Sequence, residues 1–183
     1  TVVNIAPTFG GINLEDIAAP HCFYIESELK KKLDIPVFHD DQHGTAVIVA
    51  AGLINALEIQ KKKLSEVSIV FLGAGAAGCS CARLLKLMGA TNIVLVDRKG
   101  VLNKKRSDLN KYNHDLAVEI ECETLEDVMN NSDVFIGVSG ANLLTPALIS
   151  KMNQNPIIFA LANPNPEILP DEAHAVRDDI VMA

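Results

Sequence analysis

Tryptophan is absent from this 183-residue sequence and only 4% of its residues are aromatic, although 49% are hydrophobic. That is enough apolar material for a substantial core, and the core must be chiefly aliphatic. Extended cationic runs are missing too: Lys30–Lys32, Lys61–Lys63 and Lys104–Arg106 are short, separate groups in a chain of net charge −7. This distribution speaks against a nucleic-acid partner. The longest apolar stretch, Ala46–Ile54 counting Gly52, falls far short of a membrane span, and no charged leader precedes it. Cys22, Cys79, Cys81 and Cys122 have neither zinc spacing nor the density of a disulfide scaffold, so they read as reduced, small hydrophobes of a cytoplasmic protein. No internal repeat or low-complexity segment is found. Thr1 opens the chain without a methionine, and Ile180–Ala183 resembles a strand that stops where a loop should follow, as expected of a piece of a longer protein.

What is present is organised around Val67–Asp97. An apolar run, Val67–Leu72, enters glycines at positions 73, 75 and 78; Ala77, Cys81, Leu84, Leu85 and Met88 then recur at helical spacing, and Ile93–Val96 ends on Asp97. The pattern is strand, tight turn, helix, strand. In such a G-x-G-x-x-G turn, Gly73 allows the bend, Gly75 lets a pyrophosphate approach the backbone, and Gly78 lets helix and strand pack closely. The helix start, Ala74 through Ala76 and Ala77, offers free N–H groups to phosphates. Asp97, 22 residues after Gly75, stands where an acid should meet the adenosine ribose. Its charge favours NAD by repelling a 2′-phosphate, whereas Arg98 and Lys99 could pair with that phosphate and accept NADP.

Ahead of this unit, Thr1–Gly11 reads as a loop and Asn13 as the N-cap of a short helix carrying Glu15 and Asp16. Pro20 begins a second helix with an Ile25, Leu29, Leu33 stripe, leaving Glu26, Glu28 and Lys30–Lys32 toward water. Ile35–Phe38 is extended and leads into the polar cluster His39–Thr45. The following helix, about Thr45–Ile59, is apolar on nearly every side and is expected to be buried. Beyond Asp97 the sequence predicts a helix over Asp108–Glu119, a capped one from Thr124, a strand over Asp133–Val138 ending at Ser139, a helix from Thr145 to about Met152, and a strand over Pro156–Leu161 ending at Asn163. Alternating strands and helices predict an α/β protein: a doubly wound parallel sheet, the Rossmann NAD(P)-binding fold, over residues 61–183, preceded by a helical segment over residues 1–60. Ligands of such sheets sit outside the carboxyl ends of the strands, which places Gly73–Gly78, Ser139 and Asn163 on one rim.

The remaining chemistry is acidic. Glu15, Asp16, Asp40 and Asp41 form two adjacent pairs at element boundaries, and several carboxylate oxygens suit Mg²⁺ or Mn²⁺. The purely structural alternative is that each pair serves a helix N-terminus. His39 and His43 are four apart, but Gly44 and the capping context argue against a zinc pair.

Four stretches, GGINLEDIAAP (10–20), IPVFHDDQHGTA (35–46), FLGAGAAG (71–78) and FALANPNPE (159–167), closely resemble the malic enzymes, particularly the bacterial type. The resemblance spans nearly the whole chain and covers the cofactor-binding half of such an enzyme. It implies oxidative decarboxylation of L-malate to pyruvate with reduction of NAD or NADP, in a homo-oligomer. It also implies that Glu15, Asp16 and Asp41 are metal ligands and that Asp40 is an acid orienting a catalytic lysine. Asn163 would contact malate and also the cofactor, Thr45 would touch the cofactor, and Gly73–Gly78, Asp97, Arg98 and Ser139 would line the dinucleotide site. The family's tyrosine and lysine acid–base pair is expected upstream, because Tyr24 and Tyr112 lie in no matching motif. A second substrate-contacting asparagine motif, expected after the last strand, is not in this sequence either. Two other readings compete: an amino-acid dehydrogenase cofactor domain, which would need no metal, and a non-catalytic NAD-sensing module.

Overall fold

The computed structural model describes all residues, Thr1–Ala183. A one-turn helix α1 (Val2–Ile5) and a 3-10 turn, Ala6–Thr8, lead to strand β1 (Ile12–Leu14), helix α2 (His21–Lys32) and strand β2 (Val37–His39). β1 and β2 pair in parallel, Leu14 opposite His39. The leading segment is therefore a small strand–helix–strand unit rather than helices alone. Asn13 sits mid-strand and caps nothing, because its neighbours Ile12 and Leu14 find a partner strand across the intervening helix. Leu14, Leu29 and Val37 form the core of this unit.

A π-turn, Asp40–Gly44, joins β2 to helix α3 (Thr45–Ile59). There follow β3 (Ser68–Leu72), α4 (Ala76–Leu87), β4 (Asn92–Asp97), the two-residue β5 (Gly100–Val101), α5 (Leu125–Met129), β6 (Val134–Gly137), α6 (Pro146–Ile149), β7 (Ile157–Ala160), α7 (Pro170–His174) and β8 (Val181–Met182). The main sheet has the order β5-β4-β3-β6-β7-β8, and only the β4–β5 pair is antiparallel. The chain leaves β3 in one direction to β4 and returns to its other side at β6. That reversal opens a crevice at the carboxyl ends of β3 and β6.

Strand alternation divides the apolar side chains between two faces. Ile69, Phe71, Ile93, Leu95, Ile136 and Phe159 point to α3 and α4, where Val49, Leu53, Leu57, Cys81 and Leu85 complete one core. Val70, Leu72, Val94, Val96, Phe135 and Ile158 point to α5, α6 and α7 and complete the other. Each such fully buried side chain is worth about 1.5–3 kcal/mol of transfer free energy. Burial also pushes the Cys79 thiol up to about 11 and the Cys81 thiol up to about 12, so both stay protonated core groups. All four cysteines are unpaired with one another.

Three sequence expectations are corrected. α3 is buried on one side only: Val47, Ile48, Ile54 and Ile59 are exposed, so its second apolar face lacks a cover in this chain. Asp108–Glu119 forms no α-helix beyond a 3-10 turn at His114–Leu116, since the Asn110 and Asn113 side chains accept from main-chain N–H groups at Tyr112 and Asn110 and hold turns instead. The helix at Thr145 is a single turn, Pro146–Ile149, while α7 was not legible at all. By contrast, the helix after Thr124 carries a full capping box with Asp127.

Candidate functional site

The turn after β3 shows why each glycine stands where it does. Gly73 adopts φ 122°, and a Cβ there would come within 2.8 Å of the Val138 carbonyl oxygen across the crevice. A Cβ on Gly78 would overlap the Gly73 carbonyl, so only glycine lets α4 approach β3 this closely. At Gly75 the space is open: a Cβ would meet nothing within 4 Å. Gly73, Ala74, Gly75, Asp97, Arg98 and Ser139 line one cavity of about 660 Å³, closed by the apolar side chains of Leu72, Val96, Leu125, Val138 and Leu143. Ala76 and Ala77 belong to the first turn of α4 and Gly78 lies beneath; these three do not line that cavity. Leu125 and Leu143, two of its apolar walls, belong to no motif that would reveal them.

Asp97 ends β4 facing this cavity, but it is not a free acid. Arg106 donates to both of its oxygens, at 2.9 and 2.8 Å, and the Lys99 main-chain N–H donates to Oδ1 at 2.8 Å. Arg106 also pairs with Asp108, whose own bonds to Arg106 and Lys99 hold its carboxyl far below the usual range. The sequence marked this loop only as basic. In the structure the Asp97 charge is balanced by a guanidinium, which weakens the electrostatic case against a 2′-phosphate.

Thr45 and Asp40 lie apart from the dinucleotide cavity, in a second one of about 530 Å³ lined also by Phe38, Gly44, Val47, Ile48 and Leu161. Leu161 precedes the exposed Asn163, so this cavity spans the distance between the β2–α3 junction and the β7 loop. Neither Asn163 nor any of Glu15, Asp16 and Asp41 lines either cavity. Parallel pairing of β1 with β2 nevertheless puts the two acidic pairs at neighbouring strand ends. Asp16 adopts φ 56°, and its main-chain N–H donates to Asp41 Oδ2 at 3.1 Å. Glu15 and Asp16 cap no helix, which removes the structural alternative for that pair. No three His, Cys, Asp or Glu side chains converge closely enough to form a ready cage. In chemistry, though not in spacing, the carboxylates of Glu15, Asp16 and Asp41 suit an oxygen-preferring divalent ion.

Behind Asp41 stands a buried polar chain that the sequence hid. Glu26, expected in water, is 7% exposed, and accepts from Lys30 at 2.7 Å and from Gln42 at 3.3 Å, with His43 Nε2 2.7 Å away. Desolvation raises its pKa, but the bonds from Lys30 and His43 outweigh it and leave Glu26 lowered. Gln42 also donates to His39 Nδ1 at 3.0 Å. With Nδ1 accepting, the proton is on Nε2, which is fully buried and 3.3 Å from Asp41 Oδ2 but without a properly directed hydrogen bond. His39 Nε2 thus lies buried beside the carboxylate that the resemblance names as a ligand, without bonding to it.

A doubly wound sheet with this turn at its reversal point and an open crevice above it defines a dinucleotide-binding domain of the Rossmann type. Residues 42–183 match the profile described as "Malic enzyme, NAD binding domain". The chain belongs to the malic enzyme family. It is 51% identical over 185 aligned positions to the NADP-dependent malic enzyme of Halomonas elongata, covering 100% of this chain and 44% of that protein. It is also 51% identical, over 92% of its length and 36% of the relative's, to the NAD-dependent malic enzyme of Geobacillus stearothermophilus. The crystal structure of the NAD-dependent malic enzyme from Thermotoga maritima superposes with a TM-score of 0.92 at 46% identity, over 99% of this chain and 50% of that one. The chain thus spans half or less of the length of these relatives.

Proposed function

We propose that this chain is the NAD(P)- and metal-binding half of an enzyme that converts L-malate and NAD(P)⁺ to pyruvate, carbon dioxide and NAD(P)H. The observation that carries the reading is the match of residues 42–183 to the family's NAD-binding domain. The open space above Gly75 supports it. In this reading the Gly73–Gly78 turn seats the pyrophosphate, with Ala74 and Gly75 lining the cavity; Asp97 and Ser139 hold the ribose side, and Thr45 bounds the nicotinamide side. The Asn163 amide offers both a donor and an acceptor to malate and touches the cofactor beside it. Asp40 orients a catalytic lysine from outside this segment.

A dinucleotide held on the Gly73–Gly78 turn would supply the hydride acceptor for malate C2. As the hydroxyl proton leaves, C2 becomes a ketone; breaking the C3–C4 bond then releases carbon dioxide, and a proton returned to C3 completes pyruvate. Glu15, Asp16 and Asp41 would hold Mg²⁺ or Mn²⁺, whose Lewis acidity favours the enolate charge on the C2 oxygen. Within the chain, Gln42 donates to Glu26 and to His39 Nδ1 and so holds the imidazole beside Asp41, 3.3 Å from its Oδ2. Removing the three carboxylates together, as Glu15→Gln, Asp16→Asn and Asp41→Asn, is expected to raise the Kd for Mn²⁺ by at least about tenfold in an electron-paramagnetic-resonance titration. Mn²⁺ affinity that survives all three changes refutes the ligand assignment; a fall in melting temperature alone is what a structural role would give.

The Asp97–Arg106 pair leads us to read the site as open to NADP as well as NAD. Arg106→Ala leaves Asp97 uncompensated, and is expected to shift the kcat/KM ratio of NADP to NAD down by at least about tenfold, about 1.4 kcal/mol. An unchanged ratio would remove Arg106 from cofactor choice. We further read the whole protein as a cytoplasmic homo-oligomer, a reading supported by the unpaired cysteines and the uncovered apolar face of α3. No helix here is long and apolar enough to cross a membrane.

A further inference from the structure

Glu167 is fully buried at the carboxyl edge of the sheet, although it is an acid in a loop. Its Oε1 accepts the Ser139 N–H at 3.0 Å and its Oε2 accepts the Ala162 N–H at 3.1 Å. The first donor belongs to the loop after β6, which lines the dinucleotide cavity; the second precedes Asn163 in the loop after β7. Main-chain bonds from Asn142 to Pro166 O and from Leu144 to Glu167 O, both 3.1 Å, knit the same two loops from the other side. Room for the carboxyl group comes from Gly137 at the end of β6, where a Cβ would fall inside it. An ionised carboxylate presents acceptors only, and here both oxygens face donors, so the side-chain type is matched to its place.

We propose that Glu167 is a positioning residue that fixes the separation between the cofactor loop at Ser139 and the substrate loop at Asn163. The inference rests on the roles given to Ser139 and Asn163 above. Hydride transfer needs reacting atoms about 3–3.5 Å apart, and a misplacement of about 1 Å can cost about a hundredfold in rate. One carboxylate holding one N–H from each loop gives both loops a common reference. Glutamine cannot replace it, because its amide keeps one acceptor and turns a donor toward the other N–H.

The test is Glu167→Gln in the full-length protein. Amide exchange is read at Ser139 and Ala162, with Leu161, whose N–H bonds Gly137 O, as internal control. Cofactor sites are counted by NAD(P)H fluorescence, and turnover is expressed per cofactor site. We expect one of the two loop amides to exchange at least about tenfold faster, a cofactor Kd within about threefold of wild type, and kcat per site about a hundredfold lower. Unchanged exchange, or turnover lost only in proportion to cofactor sites, overturns the proposal. Should Glu167→Gln not fold, Glu167→Asp, too short to reach both loops, is read by the same criteria. A wild-type protein that reduces neither NAD nor NADP with malate would sink the proposed function instead, while the exchange rates would still decide the Glu167 contact.

Discussion

Gly75→Val is expected to weaken NAD(P)H binding by at least about a hundredfold, about 2.7 kcal/mol, and to leave the melting temperature nearly unchanged. The two halves of this expectation have one cause. Nothing in the protein lies within 4 Å of a Cβ at Gly75, so an added side chain finds no clash and projects into the space the pyrophosphate must enter. Its φ of −83° also lies outside the left-handed region that favours glycine. Gly78 makes the opposite case: its Cβ would overlap the Gly73 carbonyl, so Gly78→Val should unfold the turn before any question of binding arises. Titration calorimetry with NADPH and NADH beside thermal unfolding separates these outcomes. Wild-type affinity in Gly75→Val would remove the turn from the binding site, and a collapse of the fold would show that the open space is needed by the protein itself.

The same comparison shows which parts of the molecule a sequence can announce. The β3–α4–β4 unit was legible because each residue's role is set by near neighbours: alternation in Ser68–Leu72, glycines at fixed offsets, an acid at the next strand end. The Thr124–Asp127 box was legible for the same reason. Glu26 was not, since the groups that bury it, Gln42 and His43, arrive from the far side of β2. Asn13 was misread because capping is a local preference, and the pairing of β1 with β2 outweighed it. Arg106 and Glu167 were likewise hidden: nothing in the local sequence says that one basic residue will neutralise Asp97 or that one acid will turn inward between two loops. Residues that touch a ligand recur in motifs; those that hold such residues in place are known only from packing.

Thr1–Ala183 assayed by itself is expected to bind a nicotinamide dinucleotide and yet to reduce it with malate at least about a hundredfold more slowly than the longer protein. The walls of the two cavities carry the reason. The dinucleotide cavity has Asp97 and Arg98 as its ionisable groups, and Asp97 is paired with Arg106; the second cavity has only Asp40. No tyrosine, lysine or histidine lines either. Tyr112 is stacked on Phe23 with ring centroids 4.4 Å apart and its carbonyl accepts from Arg83, so it is spent on joining the leading segment to the sheet. Tyr24 points to solvent from α2, 61% exposed. His39 is enclosed between Gln42 and Asp41, where no substrate carbon can reach it. The reaction must take a proton from the malate hydroxyl and later deliver one to C3, and each positioned transfer is worth on the order of 10²–10⁴-fold. The measurement is malate-dependent reduction of NAD and NADP with Mn²⁺, on Thr1–Ala183 and on the longer protein at equal concentrations of cofactor sites. Comparable rates would place the acid and base within this chain, and would make Asp40, the sole ionisable group of the second cavity, the first residue to test as one of them.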